Sequence, residues 1–478
     1  MKKKGMIAAV AMIAAFIAVM PTAVTANAVS AAEIQEETEE LRKDSADGVY
    51  NHLKYTINNN NTITITGMDN ANDDTDVELV IPAEIDGRKV TKIGWMAFYG
   101  CVNIKSVVLN DGLVEIDGSA FNGTSISEMD VPATVTTIGQ RAFGNCINLA
   151  RVTFHEGLRK IDNYAFQDCK MLTGKITIPS TTTGIGENAF SGTAITGLAI
   201  EEGTTDIRLE SQAFANCTNL NELELNRVVS IGASCFENDT AITEVTLSQG
   251  LREIGYGAFL ENNSLGGDLV IPSTVTSIGE RAFSRTSIKS LTIEDGNNGI
   301  TIGAYAFENC ANLKYANLSN RLKMIDYDAF RYDPMLVWVK IADGNYSLTI
   351  RSFAFYENKN LKVISLPTKV AKIEINVFNN CLKLEDVYYA SSQENYNTYV
   401  TVDEYNNDPY YNATLHYNSQ GPDEWPDATY TGWITIIGKD YWYENDVLQG
   451  YDPTNADYRG KEIYDPDSDA WYWLDNVQ

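Results

Sequence analysis

Three histidines are the whole imidazole complement: His52, His155 and His416. They stand far apart in the chain, and no two lie at metal-ligand spacing. Seven cysteines offer thiolate nucleophiles, zinc ligands or disulfides: Cys101, Cys146, Cys169, Cys217, Cys235, Cys310 and Cys381. Cysteine catalysis needs an exposed thiol activated by a nearby base. Zinc needs ligands clustered around one point. Six of these cysteines instead follow a recurring Phe by three residues, and Cys235 directly precedes one, so their spacing is that of a repeat. No G-x-S-x-G elbow, H-E-x-x-H motif or P-loop occurs. Asp465-Pro466-Asp467-Ser468-Asp469 alternates acids as a calcium loop does, but Ala470 replaces the turn glycine and no Glu stands at the twelfth position. A solvated acidic turn is the expectation there. The chain therefore reads as non-enzymatic, with no catalytic residue, no cofactor and no metal site, and its function is sought on its surface.

Charge narrows the partners. The 478 residues hold 36 Lys+Arg against 64 Asp+Glu, a formal net charge of −28. A nucleic-acid binder needs a basic footprint to displace counterions from phosphate, and a polybasic membrane binder needs the same sign. Both classes are excluded. The composition, 44% hydrophobic and 21% charged, is that of an ordered chain. Lys2, Lys3 and Lys4 precede an uncharged apolar run from Met6 to Met20, then Pro21 and the small-x-small triplet Ala26-Asn27-Ala28. This predicts a secretory signal peptide over 1–28, with Ala32 as a second cleavage position. No later stretch is apolar enough to span a bilayer, and no LPxTG-like sorting signal stands at the C-terminal end.

The elements that must present any surface come from one repeat. Ala-Phe or a close variant recurs at Phe98, Phe121, Phe143, Phe166, Phe190, Phe214, Phe236, Phe259, Phe283, Phe307, Phe330, Phe355 and Phe378, at intervals of 22 to 25 residues. Five positions before each Phe stands Ile, with Leu209 the exception, and Gly or Asp follows that residue in ten of thirteen repeats. Those residues tolerate tight turns. Glu210, Arg351 and Glu374 take the same place, so a positive φ is not obligatory there. About nine residues beyond each Phe comes an apolar-x-apolar triplet such as Val152-Thr153-Phe154 or Val339-Lys340-Ile341, the alternation of a strand with one buried face. Pro132, Pro179, Pro272 and Pro367 end several of these strands, since proline donates no ladder hydrogen bond. A second apolar pair, such as Val135/Ile138, precedes the next Phe. One such coil cannot bury its Ile, Phe and Leu alone, but stacked coils can.

The run Val131-Pro132-Ala133-Thr134-Val135-Thr136-Thr137-Ile138-Gly139, continued through Ala142-Phe143 and Cys146 to Leu149, resembles the BspA-type leucine-rich repeat. The resemblance covers residues 79–390. It implies a right-handed leucine-rich-repeat superhelix, β-rich, with short parallel strands and short helical or 3-10 turns. It also implies a secreted or cell-surface protein, of a Gram-positive bacterium, engaged in adhesion and host or cell interaction. Residues 29–49 read as an acidic linker, 50–78 as an N-terminal cap hairpin and 391–420 as a C-terminal cap. Residues 421–478 carry Gly432-Trp433, Gly438-Lys439, Tyr441-Trp442-Tyr443 and Gly450-Tyr451, which resemble the Trp/Tyr-rich repeats of choline-binding and other cell-wall-binding modules. Asn445-Asp446 stands where that family often has a Gly turn, and a single unit is visible. Two readings follow: retention on a cell-wall polymer, or a short β spacer with packing aromatics.

Export invites a disulfide, and Cys146 and Cys169 fall in adjacent coils where a bond could form. Asn262, Asn358, Thr124 and Thr193 fill the same column elsewhere, which argues for small buried packing residues. The outward positions of the longer strands then define a broad sheet face, with Glu128, Asp130, Arg151, Thr153, Glu222, Glu224, Glu244 and Asp268 along it. Tyr315, Trp338, Lys340 and Tyr388 follow toward the C-terminal end. Aromatics among polar neighbours are what recognition surfaces use. The candidate ligand surface is Tyr315, Trp338, Lys340, Tyr388, Glu222, Glu224 and Glu244, with an extracellular protein or glycan as partner. A different reading makes the solenoid a targeting or spacer module of a larger extracellular enzyme.

Overall fold

Each coil makes its first turn of backbone pairing at the Ile five residues before the Phe. In the computed structural model these residues close two- to six-residue strands, such as Thr137–Ile138, Lys160–Ile161 and Val370–Ile373, each parallel to its neighbour in the adjacent coil. They join one 18-stranded sheet that begins with the antiparallel strands Gly48–Tyr50, Leu53–Ile57 and Ile63–Met68 and ends on Thr401–Val402. The result is a β-solenoid of about 14 turns. The structure describes residues 48–69 and 76–422, with the backbone of the strands between 432 and 474. The signal peptide, its cleavage positions and the acidic segment up to residue 47 lie outside the described residues, as do residues 466–469 of the calcium-like loop.

The longer strands line the opposite side. Four separate sheets form there: Val77–Val80 with Ile104–Val108; Glu128–Asp130 with Arg151–Thr153; the three strands Thr173–Ile178, Ala194–Ile200 and Glu222–Leu225; and seven strands from Asp268–Ile271 to Thr414–Tyr417. The single broad sheet expected from the sequence is thus interrupted, and the continuous sheet is the one built from the short Ile strands. Pro179, Pro272 and Pro367 follow directly on the strands ending at Ile178, Ile271 and Leu366.

The third side holds the Phe. Twelve of the thirteen Phe N–H groups donate to a main-chain carbonyl in the next coil, as from Phe121 to Ala142 O at 2.7 Å and from Phe283 to Ala306 O at 2.8 Å, and that of Phe378 donates to the side-chain Oδ1 of Asn407 at 3.0 Å. The thirteen rings are fully buried and stack at 5.1 to 5.7 Å between centroids. Tyr410 closes the file, 5.3 Å from Phe378, with its hydroxyl 2.9 Å from that of Tyr396.

The expected helical or 3-10 turns around each Phe are absent among the described residues. The residues two before and two after every Phe are left-handed, with φ between 52° and 72°, for example Arg141 and Asn145 or Arg281 and Arg285. Two left-handed residues so close together break a right-handed helical run. Helix is confined there to Gln393–Tyr399 and Asp408–Asn412. The glycines four before the Phe serve close approach instead of φ: a Cβ on Gly279 would sit 2.4 Å from the carbonyl carbon of Gly255. Where aspartate replaces glycine, its carboxylate caps the next residue, as Asp117 Oδ1 accepts from Gly118 N–H at 2.7 Å.

The seven cysteines are buried and unbonded. Five of the thiols complete the coil-to-coil pairing by donating to the carbonyl of the preceding coil's Phe, as Cys146 Sγ to Phe121 O and Cys169 Sγ to Phe143 O, both at 3.1 Å. Burial pushes the Cys217, Cys310 and Cys381 thiols far above the ordinary range. Sulfurs held in the neutral form are poor nucleophiles.

Candidate functional site

Period-two alternation puts every second residue of the seven-stranded sheet on the face away from the core, although Ser290, Val363 and Ser365 are buried there. Parallel register then aligns these residues in rows. One row runs Ser290, Tyr315, Trp338, Val363, Asp386, Thr414; the other runs Thr292, Asn317, Lys340, Ser365, Tyr388, His416. Neighbouring strands are about 4.8 Å apart, so aromatic side chains on adjacent strands stand face to face. Tyr315 and Trp338 stack at 4.8 Å and 13°, and Tyr388 and His416 at 4.4 Å and 12°. His416 Nε2 also meets Asp386 Oδ1 at 2.6 Å, crossing the two rows. All four rings are half-buried, which leaves part of each in water while packing fixes its position.

The candidate residues therefore divide into separate groups. Tyr315, Trp338, Lys340 and Tyr388 share the seven-stranded sheet, joined by Asp386 and His416, whose part in the patch had not been expected. Glu222 and Glu224 lie on the three-stranded sheet, exposed and bridged by Lys175, whose ammonium is 3.6 Å from Glu222 and 2.5 Å from Glu224. The Glu224 carboxylate holds that ammonium above its ordinary value. Glu244 stands in the interruption between these sheets, where residues 243–247 form no strand, beside a shallow depression shared with Thr246, Gly266, Gly267 and Asp268.

A further cluster occupies the turn side near the Phe file. Arg281 lies over Tyr305 at 4.4 Å, Arg331 over Tyr332 at 4.5 Å, and Arg351 over Tyr327 at 3.7 Å. Each guanidinium also pairs with a carboxylate: Glu308 with Arg281, Asp328 with Arg331 and Asp326 with Arg351. Such pairs contribute little individually at an exposed surface. Among the described residues no group of three or more His, Cys, Asp or Glu side chains is arranged to hold a metal ion. No helix among them is long and apolar enough to cross a membrane.

The family model for the BspA type leucine-rich repeat region matches the chain in six copies, over residues 83–196, 183–301 and 296–405. No curated protein matches it by sequence. Among solved structures, a leucine-rich cell surface protein from Faecalibacterium prausnitzii A2-165 is 23% identical, covering 74% of this chain and 97% of its own, with a TM-score of 0.41. A leucine-rich repeat protein from Bacteroides ovatus ATCC 8483 is 20% identical, covering 78% and 99%, with a TM-score of 0.47. The pneumococcal vaccine antigen PcpA is 16% identical, covering 78% and 98%, with a TM-score of 0.43.

Proposed function

Because the chain belongs to the BspA-type leucine-rich repeat family, we propose that it is an exported, surface-displayed binding protein whose seven-stranded sheet face docks an extracellular protein or glycan. The carrying observation is the paired aromatic stacks, Tyr315 on Trp338 and Tyr388 on His416, set around Lys340 on one rigid sheet. Aromatics fixed by packing lose little side-chain freedom on binding, and a few such residues carry most of the energy of an interface. Adhesion to host or neighbouring cells is the role this surface serves. The test is a screen of arrayed matrix proteins and glycans with the full chain, followed by titration of the ligand found. Trp338→Ala should weaken binding at least about 30-fold, the loss typical of a central aromatic anchor. Unchanged affinity for that ligand, in a variant with unaltered unfolding, would mark the face as merely solvated.

The proposal extends to the C-terminal segment as an envelope anchor of the cell-wall-binding kind. Its support is a meander of Gly432–Ile436, Lys439–Glu444 and Val447–Asp452, in which Trp433 stands opposite Trp442. Deleting residues 421–478 should release the protein from washed cells into the medium. Equal retention of the deleted form would assign that segment to the spacer reading.

A further inference from the structure

The column three residues beyond each Phe repeats a four-coil pattern. Thr193, Cys217, Asp239 and Asn262 are followed by Thr286, Cys310, Asp333 and Asn358, the same types in the same order. All eight are buried, and Asp239 and Asp333 have no exposed surface at all. Of the two amide rungs, Asn262 Oδ1 accepts the N–H of Asp239 at 2.8 Å while its Nδ2 has no hydrogen-bond partner among the described residues, and Asn358 uses both atoms. Asn358 Oδ1 accepts the N–H of Asp333 at 2.9 Å, while Asn358 Nδ2 donates to Phe330 O, one coil back, at 2.8 Å. One atom accepts and the other donates.

The aspartates perform the first task in the same way. Asp239 Oδ1 accepts the N–H of Cys217 at 2.7 Å, and Asp333 Oδ1 accepts that of Cys310 at 2.8 Å. The second oxygen of each, Oδ2, has no hydrogen-bond partner among the described residues. Asn358 Nδ2, Cys217 Sγ and Cys310 Sγ each donate to the carbonyl of the preceding coil's Phe, where an ionised oxygen would bring only lone pairs and a carboxylic hydroxyl donates as they do. No cation pairs with either carboxyl among the described residues. The titratable groups facing Asp239 are Cys217 and Cys235, and those facing Asp333 are Cys310 and Glu308. Burial pushes both carboxyls well above the ordinary carboxylate range, in keeping with this geometry.

We propose that Asp239 and Asp333 are carried in the folded solenoid as neutral carboxylic acids, protonated equivalents of the Asn358 rung, and that they make the rod firmest in acid and easier to open as the medium turns alkaline. The sign follows from proton counting. In the unfolded chain both carboxyls ionise near their ordinary value of about 3.9. The folded chain retains both protons to higher pH. Their contribution to stability is therefore complete below about pH 4 and falls as pH rises toward the folded values, by about tenfold in the folding equilibrium per acid per pH unit. Repulsion among the many surface acids acts in the same direction, so the comparison must be with a variant that keeps those surface charges.

The experiment takes the full chain and the double variant Asp239→Asn/Asp333→Asn. Infrared spectra at neutral pH should show a protonated-carboxyl carbonyl band in the unsubstituted protein that is missing from the double variant. Urea midpoints measured between about pH 5 and about pH 8 should fall more steeply for the unsubstituted protein, with the variant the more resistant at the alkaline end. Parallel pH dependences would overturn the proposal. So would a neutral-pH spectrum of the unsubstituted protein without that band, a reading that stands whether or not the variant folds.

Discussion

Replacing Arg321 with alanine should destabilise the solenoid by about 4 kcal/mol, more than a typical surface substitution by an order of magnitude. Arg321 is the largest fully buried side chain among the described residues. Its Nε donates to Glu294 O at 2.9 Å, and its terminal nitrogens donate to Pro272 O at 3.0 Å, Asn298 O at 3.2 Å and Val275 O. One guanidinium thus ties the strand-ending turns of three successive coils. Removing it takes the guanidinium donor from four carbonyls in a place poorly reached by water, of which Pro272 O keeps the Val275 N–H, and hydrogen bonds to charged groups contribute about 1.5–3 kcal/mol each before relaxation. Burial draws the guanidinium below its usual value without neutralising it, with Asp295 and Glu294 opposing that shift. Lysine at this position should recover little, because a single ammonium cannot reach carbonyls spread around a planar fork. Equilibrium urea unfolding of Arg321→Ala and Arg321→Lys checks this. A loss below about 1 kcal/mol for the alanine variant would show that the clamp is dispensable. Arg227 repeats the arrangement earlier in the chain, bonded to Pro179, Thr182, Glu201 and Thr205 carbonyls, but it is only half-buried and should matter less.

Phe259→Ala should cost about 3–5 kcal/mol, the range for deleting a buried aromatic ring. Phe259 stacks at 5.2 Å on Phe236 and at 5.2 Å on Phe283, so the cavity opens between two rings held by their own coils. Backbone pairing from Phe259 N–H to Ala282 O, and from Phe236 N–H to Ala258 O, limits how far the coils can close over the gap. Urea unfolding of the variant gives the loss directly. A cost near 1 kcal/mol would mean that the coils collapse to fill the space, and that the rings contribute less than their burial implies.

The Phe file was legible because its interval is nearly constant and one residue type occupies it. Its last rung was not: Tyr410 follows Phe378 only after the helix Gln393–Tyr399, and a tyrosine in a Tyr-rich segment carries no periodic signal. The cysteine column was readable as a place for small side chains, since Cys, Thr and Asn alternate there. Asp239 and Asp333 escaped notice because an isolated aspartate in an acidic chain reads as surface. Arg321 was missed for the same reason, although Arg227-Val228 and Arg321-Leu322 recur in equivalent coils. Alternation marks Glu222, Glu224 and Glu244 as outward, and all three are exposed. Alternation says nothing of sheet continuity, so the gap that isolates Glu244 could not be read. Nor could the joining of His416 to Tyr388, which depends on the coil-closing segment between them.

Stability passed from coil to coil is the basis of this account, and a double-mutant cycle measures it. Phe236→Ala and Phe259→Ala remove neighbouring rings; Phe236→Ala and Phe330→Ala remove rings four coils apart. The neighbouring pair should show an interaction energy of about 0.5–1.5 kcal/mol, and the distant pair should add to within about 0.5 kcal/mol. Neighbouring rings whose losses simply add, or a distant pair coupled as strongly as the near one, would contradict a column held together by contact between successive coils.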